Sequence, residues 1–78
     1  MSNFTYNNNE VTYVTITRAS GYGRYLMQAD WIDEDGRSQS SEHISSSAPL
    51  FDLYTDEDTK EEARKIIAEA VIDNYYSL

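Results

Sequence analysis

Every residue between Glu10 and Arg18 is β-branched or aromatic: Val11, Thr12, Tyr13, Val14, Thr15, Ile16 and Thr17. Such side chains suit a pleated, half-buried backbone, so the segment reads as a strand. Ser20-Gly21-Tyr22-Gly23 follows, and glycines this close together mark a tight turn. A second strand runs from Arg24 to Asp33, with Tyr25, Leu26, Met27, Trp31 and Ile32 as its large apolar members. Glu34-Asp35-Gly36 reads as a hairpin turn of the Asp-Gly kind, in which glycine takes the left-handed conformation. Arg37 to Ser45 makes a third, serine-rich strand. Residues 1–9 are polar and rich in asparagine, and they predict either a frayed arm or a fourth, edge strand that packs Phe4 and Tyr6.

The turns imply registers. With Gly21 and Tyr22 central in the first turn, Arg18 faces Tyr25, Ile16 faces Met27, Val14 faces Ala29 and Thr12 faces Trp31. Alternation then gathers Val14, Ile16, Tyr25, Met27, Ala29 and Trp31 on one apolar face, expected to meet the core. The other face receives Val11, Tyr13, Thr15, Leu26, Gln28, Asp30 and Ile32. The third strand depends on its turn. A two-residue turn sets Ile44 beside Met27, a bulged three-residue turn sets His43 there, and a one-residue slip flips every side chain. The version with Ile44 inside is the expected one.

Pro49 predicts a loop over 46–55, whose Leu50, Phe51, Leu53 and Tyr54 plug one end of the core. A helix is expected over 56–76. Ala63, Ile66, Ile67, Ala70, Val71 and Tyr75 fall on one stripe at helical spacing. Thr59 and Glu62 have the spacing of a capping box, and Thr55 with Asp58 offers an earlier start. The expected fold is α+β: an antiparallel sheet of three strands, or four with the arm, and one C-terminal helix packed on one face. The order is β-β-β-α, within one domain of residues 1–78.

Charge changes this picture. The chain has 14 acids, 6 bases and a net charge of -8, and only Glu10 of the acids precedes residue 30. Nucleic acid and anionic membrane are poor partners for such a surface, whereas a basic protein surface is a good one. One acidic group is Asp30, Asp33, Glu34 and Asp35, at the tip of the second hairpin. The other is Asp56, Glu57, Asp58, Glu61 and Glu62, at the expected helix start, where the helix dipole favours negative charge. Capping explains two or three of these carboxylates and solubility explains more. The functional reading is a surface that imitates a phosphate backbone and occupies a basic groove.

Nothing organises catalysis. Ser41 and His43 would share a strand face, but a nucleophilic serine needs an orienting acid and an oxyanion hole as well. Asp30 and Asp33 have the wrong spacing for the first ligands of a calcium loop. Cysteine is absent, so thiolate zinc sites and disulfides are excluded, and no cofactor is expected. The start of the sequence lacks the basic and apolar runs of a secretory leader, and no stretch is apolar enough to span a membrane, so a cytoplasmic location is expected. The sequon Asn3-Phe4-Thr5 then reads as a chance match. Seven tyrosines exceed what so small a core takes. Tyr13, on the outer sheet face, and Tyr22, at a turn tip, are candidate interface anchors, since exposed tyrosine gives contact area at little entropic cost.

In length, acidity and order of elements the chain resembles the small inhibitors that phages encode against bacterial defence, anti-CRISPR proteins in particular. No residue motif carries the resemblance, so no functional residue is transferred by it. It implies a non-enzymatic protein that blocks a basic, nucleic-acid-binding surface of a defence complex in the host cytoplasm. Two readings stand beside it. One is a structural or oligomerising module that pairs through the outer face with Tyr13, Leu26 and Ile32. The other is a small enzyme or metal protein.

Overall fold

In the computed structural model, which describes residues 3–77, four strands form one antiparallel sheet. They are β1 (Phe4–Tyr6), β2 (Asn9–Arg18), β3 (Tyr25–Ile32) and β4 (Ser38–Ser45), side by side in chain order. Two helices follow, α1 (Ala48–Thr55) and α2 (Lys60–Tyr76), and both pack into one core with one face of the sheet. The architecture is α+β as expected, with the arm supplying the fourth strand and with one helix more than the sequence predicts.

β1 pairs with the start of β2, Phe4 opposite Val11 and Tyr6 opposite Asn9. Asn7 and Asn8 turn the chain at φ 49° and 65°. Asparagine is among the few residues other than glycine that tolerate this left-handed region, and a two-residue hairpin of the type I′ kind requires it at both central positions. The β2–β3 register runs as predicted from Arg18–Tyr25 through Ile16–Met27 to Val14–Ala29. It then breaks. Tyr13 lies opposite Asp30 and Val11 opposite Trp31, so Thr12 is an extra residue in a β-bulge and does not face Trp31. The extra residue resets the alternation. Val11, expected on the outer face, is fully buried as a result.

The second hairpin corrects another expectation. Its ends close through Asp33 N–H to the Arg37 carbonyl at 2.9 Å, leaving the three-residue loop Glu34-Asp35-Gly36 with Gly36 at φ 81°. His43 therefore pairs with Met27, while Ile44 pairs with Leu26 and points outward, 46 % exposed. A glycine placed to take the left-handed position outweighs the burial of one isoleucine.

Residues 48–55 form a helix where a loop is expected. Pro49 stands in its first turn, where a helix leaves N–H groups without partners and a missing one costs nothing. The Ser47 hydroxyl caps the helix by accepting from Leu50 N–H at 3.4 Å. Leu50 is buried and Phe51 and Tyr54 pack against the core, with Phe51 4.9 Å from the Tyr25 ring, so the segment does close one end of it.

α2 starts at Lys60, later than expected. Thr59 holds the cap position, but its hydroxyl donates to the Leu53 carbonyl at 2.7 Å, so the capping box with Glu62 does not form. The buried stripe is Ala63, Arg64, Ile67, Ala68, Val71 and Ile72, and Ile66 is 41 % exposed. The helix has rolled towards the flank on which Arg64 meets β1. There the Arg64 guanidinium lies 5.4 Å from the Phe4 ring and meets Glu61 at 2.7 Å, keeping its stem in the core and its charge paired. Trp31, Ile67, Ile72, Val11 and Val71 are the largest fully buried side chains. Each stabilises the fold by about 1.5–3 kcal/mol. The Trp31 indole N–H donates to the Tyr76 hydroxyl at 3.2 Å, and its ring meets Tyr75 edge-on at 5.2 Å.

Candidate protein-binding surface

The hairpin tip divides the first acidic group. Asp33 is occupied inside its own turn: one carboxylate oxygen accepts from Arg37 N–H at 2.9 Å and Asp35 N–H at 3.0 Å, the other from the Gln39 amide at 3.0 Å. The Arg37 N–H, followed by the Gln39 amide, holds this carboxyl below the usual carboxylate range, since each hydrogen bond favours the charged form. Asp30 lies back from the tip on the outer face of β3, opposite Tyr13, where it accepts from the Ser40 hydroxyl at 2.8 Å. Glu34 and Asp35 are exposed, and neither carboxylate holds a hydrogen bond or ion pair among the described residues.

The second group divides in the same way. Asp56, Glu57 and Asp58 make the corner between α1 and α2, and Glu61 and Glu62 stand in the first turn of α2, as expected. Asp56 accepts from Asp58 N–H at 2.9 Å and so shapes the corner. Glu61 pairs with Arg64. Lys60 turns from the acids to lie 5.0 Å from the Tyr54 ring. Glu57, Asp58 and Glu62 keep exposed carboxylates that are unpaired among the described residues. The two groups are not brought together. α2 reaches from the corner to the tip, and 17 residues at 1.5 Å each give it a length of roughly 25 Å.

At the tip end an open groove of about 550 Å³ lies between the β1–β2 turn, the second hairpin and the last turn of α2, lined by Asn9, Glu34, Asp35, Asp73 and Tyr76 among others. The carbonyl end of the helix adds to its negative potential. Asp73 accepts from the Tyr6 hydroxyl at 2.8 Å, and this bond pushes the Tyr6 phenol up from its ordinary value.

The tyrosines divide by what their hydroxyls do. Those of Tyr6, Tyr54, Tyr75 and Tyr76 bond to Asp73, the Val14 carbonyl, Gln39 and Trp31, and Tyr25 is buried. Tyr13 and Tyr22, the two candidate anchors, are exposed at 54 % and 105 %. Tyr22 stands between Gly21 and Gly23, both at positive φ, at the end of the sheet away from Glu34 and Asp35. Tyr13 lies on the outer face. Three residues of the same face, Glu10, Glu42 and Ile44, are not marked by the sequence as parts of a surface. Glu10 and Ile44 pair with Ile32 and Leu26 across the sheet, and Glu42 accepts from the Gln28 amide at 3.3 Å.

Nothing assembles around His43. It is half-buried beside Met27, and among the described residues no hydrogen bond joins it to Ser41 or to a carboxylate. Among the described residues no group of three or more His, Asp or Glu side chains is placed to hold a metal ion, and no helix is long and apolar enough to cross a membrane. Comparison with known protein families, with characterised proteins and with solved structures finds no match.

Proposed function

We propose that this chain is a non-enzymatic binding protein that docks on a basic protein surface and blocks it. In its most specific form, the target is the nucleic-acid-binding surface of a bacterial defence complex, as for the phage inhibitors that the sequence resembles. The observation that carries the reading is the set of carboxylates the fold leaves unused. Asp33, Asp56 and Glu61 serve turns or an ion pair, whereas Glu34, Asp35, Glu57, Asp58 and Glu62 are exposed and unpaired among the described residues. Their mutual repulsion opposes folding, and a cationic partner relieves it.

The test is capture on the immobilised chain from a nuclease-treated bacterial lysate, with bound proteins identified by mass. A nucleic-acid-binding complex is expected, released by salt and displaced by added DNA or RNA. Charge reversal of the group that meets the partner, by Glu34→Lys with Asp35→Lys or by Glu57→Lys with Glu62→Lys, should weaken capture and flatten its salt dependence. If neither pair moves affinity or salt dependence, the electrostatic reading is wrong.

A further inference from the structure

Helices cover one face of the sheet, and the opposite face of the same strands is bare among the described residues. The register sets what that face carries. Leu26 and Ile44 are cross-strand partners and make one apolar spot. Tyr13 makes a second, two rows along the strands. Between and beside them stand Glu10, Asp30 and Glu42. Among the strand residues described the one cation is Arg18, and it belongs to the other side: it pairs with buried Tyr25, and its guanidinium lies 5.1 Å from the Phe51 ring of α1. The bare face therefore combines apolar contact points with three carboxylates, and the one cation near it among the described residues is Arg24, which lines a shallow pocket with Ile44 at the Tyr22 end of the sheet.

This composition discriminates among occupants. A second copy laid face to face would set carboxylates against carboxylates, and like charges brought together cost several kcal/mol. A phosphate chain is repelled for the same reason. A protein surface carrying lysine or arginine around apolar residues is complementary. The area suffices as well. The molecule measures 38 × 30 × 15 Å, so the broad sheet side offers on the order of the 800 Å² that one partner contributes to a standard interface. Glu34 and Asp35 stand at one end of the sheet, where they line the groove beside the last turn of α2, and the α1–α2 corner lies among the helices.

We propose that the uncovered sheet face is the docking surface for a basic protein partner, with Tyr13, Leu26 and Ile44 as contact points and Glu10, Asp30 and Glu42 as the complementary charges. The inference rests on the reading that the chain binds a basic protein, and it selects the sheet side over the helix corner.

The probe is the same nuclease-treated bacterial lysate, offered to the immobilised chain and to three variants checked for unchanged circular dichroism and melting. Tyr13→Ser with Ile44→Ser removes apolar contacts; Glu10→Lys with Glu42→Lys reverses charge. Ile66→Ser with Glu69→Lys makes the matching changes on the exposed side of α2. The expected result is that each sheet-face variant lowers capture of the basic protein by about tenfold or more, as loss of interface hot spots does, while the helix-side variant captures it like the parent. If a basic protein is captured equally by both sheet-face variants, the face assignment is overturned and the proposed function stands. If the parent captures no basic protein, both fail. If light scattering finds a dimer of the parent that the Tyr13 and Ile44 changes dissolve, the occupant is a second copy and the proposal is overturned.

Discussion

On the core face of the sheet Val11, Val14, Ile16, Met27, Ala29 and Trp31 are at most 3 % exposed, while on the opposite face Tyr13 is 54 % and Ile44 46 % exposed. The same strands supply both faces, with the same β-branched and aromatic residue types. Strand propensity therefore does not choose between them. Parity does, and two local devices set it: the bulge at Thr12 and the left-handed glycine at position 36. The core face is filled from outside the sheet by Leu50, Ala63, Ile67, Ala68, Val71 and Ile72. Among the described residues the outer face has no such cover, and it differs in charge as well, so its apolar residues remain available for contact.

The largest expected effect breaks the comparison on its buried side. Trp31→Ala removes the biggest side chain of the core and should cost about 3–5 kcal/mol. Domains this small are only marginally stable, so the variant should be largely unfolded by circular dichroism at room temperature. A variant that melts like the parent would mean that the buried face has been misplaced.

The roll of α2 gives the next largest contrast. Ile72→Ala should destabilise by about 2–4 kcal/mol in urea denaturation, since that side chain is 1 % exposed. Ile66→Ala, at 41 % exposure, should cost under about 1 kcal/mol. The reverse order would restore the stripe predicted from the sequence.

Gly36→Ala probes the device that turns β4. Nothing stands within 4 Å of the added methyl group, so the cost comes from φ 81° alone. About 1–2 kcal/mol is expected, read as a lower urea midpoint.

Asp33 offers a pH test of the same turn. Its folded carboxyl titrates below its ordinary value, so its contribution to stability is present above the unfolded value of about 3.9 and is lost as pH falls through the folded one. The amide signals of Asp35 and Arg37 should titrate together below that unfolded value in nuclear magnetic resonance, and Asp33→Asn should abolish the step. The smallest expected effect lies on the bare face: Ile44→Ser should change stability by no more than about 0.5 kcal/mol, even as it weakens partner capture.

Much of the fold was legible in the sequence because several signals agreed. The β2–β3 hairpin combined a glycine-rich turn with matched apolar partners, and Arg18–Tyr25 through Val14–Ala29 followed from it. β4 carried one apolar signal, Ile44, and a turn signal that opposed it, and the turn prevailed. In α2 the positions Ala63, Ile67 and Val71 belong to either stripe, so periodicity leaves open which flank is buried. The buried flank is the one on which Arg64 meets Phe4 of β1, a strand whose existence the sequence leaves open. Pro49 predicts a loop from the sequence because its tolerance in a first helical turn is visible only once the Ser47 cap is seen. For the candidate surface, sequence located the acids but not their employment. Whether Asp33 is engaged and Asp35 free depends on the path of the turn, which charge alone does not report.

The bulge at Thr12 also bears on how this chain tolerates change in length. Its two sides are out of phase, so Val11 and Val14, three apart in a strand, both reach the interior. A residue inserted or deleted elsewhere in β2 would carry one portion of the strand inside out, bringing threonines to the core and valines to water. At Thr12 one surplus residue is already absorbed. Homologous chains that lose a residue in β2 are expected to do so there, because without Thr12 the pairs Val11–Trp31 and Tyr13–Asp30 simply become consecutive.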